Sequence, residues 1–151
     1  DVYKRQVYNE TLRDRVCAVS NKTHYNEMNV LSMHALIGAY QPQGYEWVDE
    51  LNQVLAGNIE YFCDYVDEHF EGVSYSRPQG TYMVFLDCTE WCREHGRDIQ
   101  WLLDEGARVG VGYQDGRPFH GPCHIRVNLA LPLSRVKEAC DRLDRYVFNA
   151  R

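Results

Sequence analysis

A chain of 151 residues with 44% apolar residues can build one ordinary domain with a real core, which excludes wholesale disorder. Its formal charge of −6, with no basic run, excludes a surface that tracks nucleic-acid phosphates. No apolar stretch approaches the roughly 20 residues that a membrane helix needs.

The predicted elements run as follows. Residues 7–19, VYNETLRDRVCAV, read as a strand end and then a short helix capped by Asn9. The polar run SNKTHYNEMN reads as turns. Asn29 can then cap NVLSMHALIGAY, a helix expected to end near Pro42 and Gly44. The strongest periodicity follows. Trp47, Leu51, Val54, Leu55, Ile59, Phe62, Val66 and Phe70 recur at steps of mostly three and four, the signature of one helix face. At 1.5 Å per residue this helix is roughly 40 Å long, a length that often joins two bodies. Gly57 inside it costs about 1 kcal/mol relative to Ala and is expected to mark a bend or a close contact.

The period then changes. VSYS and TYMVFLD are extended runs around a turn at RPQG, and TEWCREHG and DIQWLLDEGA are short helices. RVGVGY and HIRVNLAL are strand-like, separated by the loop QDGRPFHGP. A last helix, LSRVKEACDRLDRYVF, puts Val136, Ala139, Cys140, Leu143 and Val147 on one face. The fold class is α+β, with a long helix feeding a small, mostly antiparallel sheet covered by helices.

Chemistry-bearing residues are few. In CHIRVNLALP, alternation sends Ile125, Val127 and Leu129 to one face and Arg126 and Asn128 to the other. An arginine in an apolar strand needs a partner, because an unpaired charge is costly to bury. Its planar fork suits a carboxylate, either on a substrate or on an Asp or Glu of the same domain. Cys88, Cys92 and His95, with His120, Cys123 and His124, have enough ligand atoms for zinc, but the spacing lacks a tight C-x2-C pair, and buried thiols explain it as well. RVGVGYQDG offers a G-x-G, but Pro118, Gly121 and Pro122 argue against the helix a dinucleotide site needs. Of the lysines Lys4, Lys22 and Lys137, Lys22 sits in a polar turn and lacks the pocket that would lower its pKa. The six scattered cysteines are expected to be reduced thiols in a cytoplasmic protein.

The order of segments is more specific than any one of them. NVLSMHALIGAY, GYEWVDELNQVLAGNIEYF, RPQGTYMVFLD and HIRVNLALP, followed by a terminal helix, resemble the C-terminal part of fold-type I pyridoxal-phosphate enzymes, and more narrowly the MalY/PatB-type cystathionine β-lyases within the class I/II aminotransferase family. The resemblance implies a carbon–sulfur β-lyase that converts cystathionine to homocysteine, pyruvate and ammonia, or an aminotransferase. A non-catalytic amino-acid-binding module is the reading from another class. The resemblance also implies that Arg126 grips the substrate α-carboxylate, and that Gly80 and Tyr82 lie near the pocket without assigned contacts. It implies that the Schiff-base lysine and the other residues holding pyridoxal 5′-phosphate lie in a preceding large domain. No catalytic, cofactor-binding or metal residue is therefore assigned in the chain itself. The implied whole enzyme is a homodimer that binds an amino acid, neither nucleic acid nor a membrane, and the chain alone is inactive.

The opening DVYKRQ has a reverse translation like the transposase end sequence used to tag DNA fragments for sequencing. The expected organisation is therefore a scar at 1–6, a large-domain remnant at 7–28, connecting helices at 29–71 and the small domain at 72–151.

Overall fold

The structure is a computed structural model and describes residues 6–24 and 28–150. Most of the suspected scar, residues 1–5, lies outside the described residues, as do residues 25–27 of the predicted turn. The chain divides into two compact units, residues 1–47 and 48–151.

The first unit is helical. Helix α1 (Glu10–Thr23) begins where the Asn9 side chain accepts a hydrogen bond from the Leu12 N–H. Helix α2 (Val30–Ala39) is capped in the same way by Asn29, which accepts from Ser32. Each cap satisfies one of the backbone donors that a helix leaves orphaned at its first turn. Two expectations are corrected here. Val7–Asn9 is not a strand, and the run from Ser20 to Thr23 continues α1. Neither α1 nor α2 buries a residue.

Helix α3 (Pro42–His69) spans 28 residues and passes through the boundary between the units. Pro42 therefore starts a helix. Its ring presets the helical φ, and its missing N–H would have had no partner in a first turn. Gly57 sits within the helix with open space beside it, so the close contact is not found. The predicted apolar stripe is buried only towards its end. Phe62, Val66 and the following Phe70 are buried with Cys63, whereas Trp47 and Val54 are exposed.

The second unit is built on a four-stranded antiparallel sheet of order β1-β2-β4-β3: β1 Ser74–Tyr75, β2 Met83–Asp87, β3 Gln114–Asp115 and β4 His124–Asn128. Helices α4 (Thr89–His95), α5 (Ile99–Arg108) and α6 (Leu133–Leu143) complete it, and α6 passes into a π turn at Asp144–Phe148. Val84 and Leu86 of β2 and Ile125 and Val127 of β4 form the inner face. The core adds Phe62, Trp91, Leu102, Val136, Cys140, Leu143 and Phe148. Burying each large side chain contributes about 1.5–3 kcal/mol.

RVGVGY is not a strand. Gly110 turns with φ +77°, and the Val111 N–H bonds back to Gly106 O at 2.8 Å. The Tyr113 hydroxyl then donates to Leu102 O, so this segment ties α5 to the sheet before β3 starts. Among the described residues one polar side chain is deeply buried. Asn58 of α3 donates to Leu129 O at 2.9 Å and Leu131 O at 2.7 Å, which fixes the chain leaving β4.

Candidate functional site

The site is assembled on the outer face of the sheet. Alternation along β4 turns Ile125 and Val127 into the core and leaves His124, Arg126 and Asn128 on the other side. In register, Phe85 of β2 and Gln114 of β3 stand beside Arg126, and Asp87 stands beside His124. The loop 116–121 folds over this face. A Cβ on Gly116 would meet His124 O at 2.5 Å, and one on Gly121 would meet Phe85 Cζ at 2.5 Å, so the close approach requires glycine at both positions. The loop is pinned by an ion pair between Arg117 Nε and Asp115 Oδ2 at 2.7 Å. Arg117 also donates to Gln100 Oε1 at 2.9 Å. The result places the Phe119 ring against Arg126, with Cζ 4.3 Å from the ring centroid.

Arg126 makes no ion pair with any described carboxylate, so the structural partner left open by the residue pattern is not found. Its Nε is buried and has no hydrogen-bond partner. Among the described residues the only other buried side-chain nitrogen or oxygen in that state is His124 Nδ1, two positions away on the same face. A depression of about 360 Å³ is lined by Arg126 together with Tyr82, Met83, Gly112, Tyr113, Gln114 and Asn128. Asn128 Oδ1 is already occupied, accepting from the Ala130 N–H at 2.8 Å.

The surrounding charges are settled locally. Burial pushes the Asp87 carboxyl up, but hydrogen bonds from the Thr89 hydroxyl and N–H, with His124 nearby, bring it below its ordinary 3.8. His124 Nε2 lies 3.8 Å from Asp87 Oδ2. Burial, then the neighbouring Cys88 and Glu105, push the Tyr113 hydroxyl up, so it stays a neutral donor. The arrangement presents a half-buried cation with an aromatic ring 4.3 Å from its Cζ and no protein anion among the described residues paired with it. Such a group binds a planar anion well, because five N–H donors lie in the guanidinium plane.

Other predicted candidates do not join this site. Among the described residues no group of three or more His, Cys, Asp and Glu is arranged to hold a metal ion. His95 stacks on Trp91 at 4.3 Å, and its Nδ1 lies 2.9 Å from Trp91 O. Burial pushes the Cys92 thiol up to about 12, with a hydrogen bond to Cys123 and its charge adding to this. A second cavity of about 340 Å³ lies beside α6 with Phe62, Val127 and Leu143 in its wall and Arg135 and Arg142 at its rim; Arg126 does not line it. Gly80 lines a different depression, whereas Tyr82 does line the one at Arg126. Phe119 and Gln114 were missed by the sequence reading. Phe119 lies in a Gly- and Pro-bearing loop where nothing marks one residue as folding back onto the strand.

Comparison with known proteins sharpens the picture. No family model matches the chain. A Mycobacterium leprae protein named "Putative cystathionine beta-lyase" is 35% identical over 124 residues, 72% of this chain and 30% of that protein. The pyridoxal-phosphate-bound C–S lyase of Staphylococcus hominis superposes with a TM-score of 0.74 at 24% identity, over 90% of this chain and 35% of that one. A Thermus thermophilus aspartate aminotransferase mutant gives a TM-score of 0.72 at 17% identity, over 86% and 34%. The fold is that of the C-terminal domain of the pyridoxal-phosphate-dependent C–S lyases. Over 72% of its length the chain is similar to proteins named putative cystathionine beta-lyase, and it spans about 30% of the length of those curated relatives.

The Staphylococcus hominis C–S lyase binds pyridoxal phosphate. This cofactor needs a lysine amine at its carbonyl carbon, an acid beside its ring nitrogen and donors around its phosphate. The described residues do not fit it. Lys22 is exposed in the last turn of α1, and the Lys137 ammonium lies 5.1 Å over the Tyr61 ring on the outside of α6. Neither lines the depression at Arg126.

Proposed function

We propose that this chain supplies the substrate-carboxylate grip of a pyridoxal-phosphate-dependent C–S β-lyase, with cystathionine as the substrate and Arg126 as the gripping residue. The observation that carries the reading is the Arg126 guanidinium, held in a sheet and beside an open depression, with a buried, unpartnered Nε and no protein carboxylate. An α-carboxylate would satisfy the charge and accept two parallel hydrogen bonds. Fixing it would orient the rest of the amino acid for chemistry by groups outside this chain. In this reading residues 72–151 are the small domain, 29–71 the connecting helices and 7–28 the edge of the large domain. The chain alone is inactive, and the whole enzyme is a cytoplasmic homodimer in which the buried thiols stay reduced. No helix among the described residues is long and apolar enough to cross a membrane.

Likeness to both a lyase and an aminotransferase leaves transamination as a second reading. Both are tested in the whole enzyme that carries this segment. Arg126→Ala is expected to lower kcat/KM for cystathionine by about 3–5 kcal/mol, the loss of two hydrogen bonds to a charged group. Unchanged kcat/KM sinks the role of Arg126. Pyruvate and ammonia as products support the lyase; release of the keto acid of the intact substrate supports the aminotransferase.

A further inference from the structure

The geometry points to Phe119 as the positioning residue that holds the Arg126 guanidinium for a carboxylate; this rests on the carboxylate reading of Arg126 proposed above.

The ring lies 4.3 Å from Arg126 Cζ, at cation–π distance. The ring brings no carbonyl or carboxylate to the guanidinium, and Arg126 Nε stays without a hydrogen-bond partner beside it. The ring therefore limits how the group can swing while leaving that donor free. An arginine that swings loses part of its binding energy to ordering at the moment the anion arrives.

The turn that carries Phe119 is itself held in place. The Phe119 N–H donates to Gly116 O at 2.8 Å, and Gly116 N donates to His124 O at 2.9 Å. The Arg117 side chain ties the same turn to Asp115 and to Gln100 of α5. Ring and guanidinium are thus referred to the same strand, two residues apart at His124 and Arg126. Phe119 is 45% exposed, so filling the core explains only part of its placement. It faces a charged group that has no anionic partner among the described residues, which is where a ring quadrupole acts most strongly.

The test uses the whole enzyme carrying this segment. Stepwise fluorination of the Phe119 ring keeps its shape nearly constant and drains its quadrupole, so folding is preserved. KM for cystathionine is expected to rise with each fluorine, reaching about tenfold in the trifluoro ring, with kcat changed less than about twofold. Phe119→Leu is expected to raise KM about tenfold and Phe119→Tyr to keep it within about twofold of the parent. A KM that stays flat across the fluorinated series, or a tyrosine variant as impaired as the leucine one, overturns the inference. Arg126→Ala measured in the same preparation separates the two ideas. If it leaves kcat/KM unchanged, the carboxylate reading has failed. If it lowers kcat/KM while the fluorinated series stays flat, only the role of Phe119 has failed.

Discussion

The helices of residues 1–47 and those of residues 48–151 treat apolar side chains in opposite ways. Helices α1 and α2 bury none: Leu31 is 83% exposed and Ile37 53%. In the second unit Leu102 and Leu143 are 0% exposed. The difference is not one of local helix quality, because Asn9 and Asn29 cap the first two helices through side-chain hydrogen bonds. A cap and a run of good helix formers define a helix. Burial needs a second surface, and in residues 48–151 the inner face of the sheet provides it. Short helices without packing are marginal in water, so the first unit has little tertiary energy holding its form. Its apolar side chains, Leu31 and Ile37 among them, are exposed within this chain, as on surfaces that mark interaction sites.

The largest expected effect that tests this contrast is a pair of truncations. Leu143→Ala should cost about 3–5 kcal/mol in urea unfolding, and Leu31→Ala should stay within about 0.5 kcal/mol. Equal losses would erase the distinction between the units. Next comes Asn58→Ala, which leaves the carbonyls of Leu129 and Leu131 without their donor. It should cost about 1–3 kcal/mol, more than the cap variant Asn29→Ala at about 1 kcal/mol or less.

The third prediction concerns pH. Burial, and then the charge of Asp141, push the Cys140 thiol from 9.0 up to about 12. The folded chain holds this proton more tightly than the unfolded chain does. Its contribution is therefore complete below pH 9 and lost progressively as pH rises towards 12. Unfolding at pH 10 should show a loss of about 1 kcal/mol that Cys140→Ala removes. A parent whose stability does not fall between pH 8 and 10 would contradict this. The smallest effect is expected at the surface. Arg77→Ala breaks the exposed 2.7 Å pair with Asp64 and should leave the urea midpoint essentially unchanged, because solvent screens it. A clear loss in the same unfolding measurement would mean that the pair does more than bridge exposed groups.

Much of the local structure was legible in the chain. The 3.6-residue period of Phe62, Val66 and Phe70 and the Asn9 and Asn29 caps each report on a few neighbouring residues. The same holds for the alternation of Ile125, Arg126 and Val127. Errors arose where a residue has two local meanings. Helix α2 ends at Ala39 just before Pro42, as expected, but Pro42 also starts α3, which the sequence pattern began only after it. RVGVGY has the composition of a strand, but its groups are used by Gly106 and Leu102 of α5 instead of a neighbouring strand.

For the site, the sequence by itself determined that Arg126 stands on the polar side of an apolar strand, because strand alternation is a property of consecutive residues. It also left open whether the partner of that arginine is a protein carboxylate or a ligand. Only the tertiary structure decided which groups surround it. Asp87 is drawn to Thr89 and His124, Asp115 to Arg117, and Phe119 is folded back against the guanidinium by a loop that two glycines allow. Those choices depend on strand register and close packing between residues far apart in the chain. No pattern of neighbours along the sequence encodes them separately from the fold.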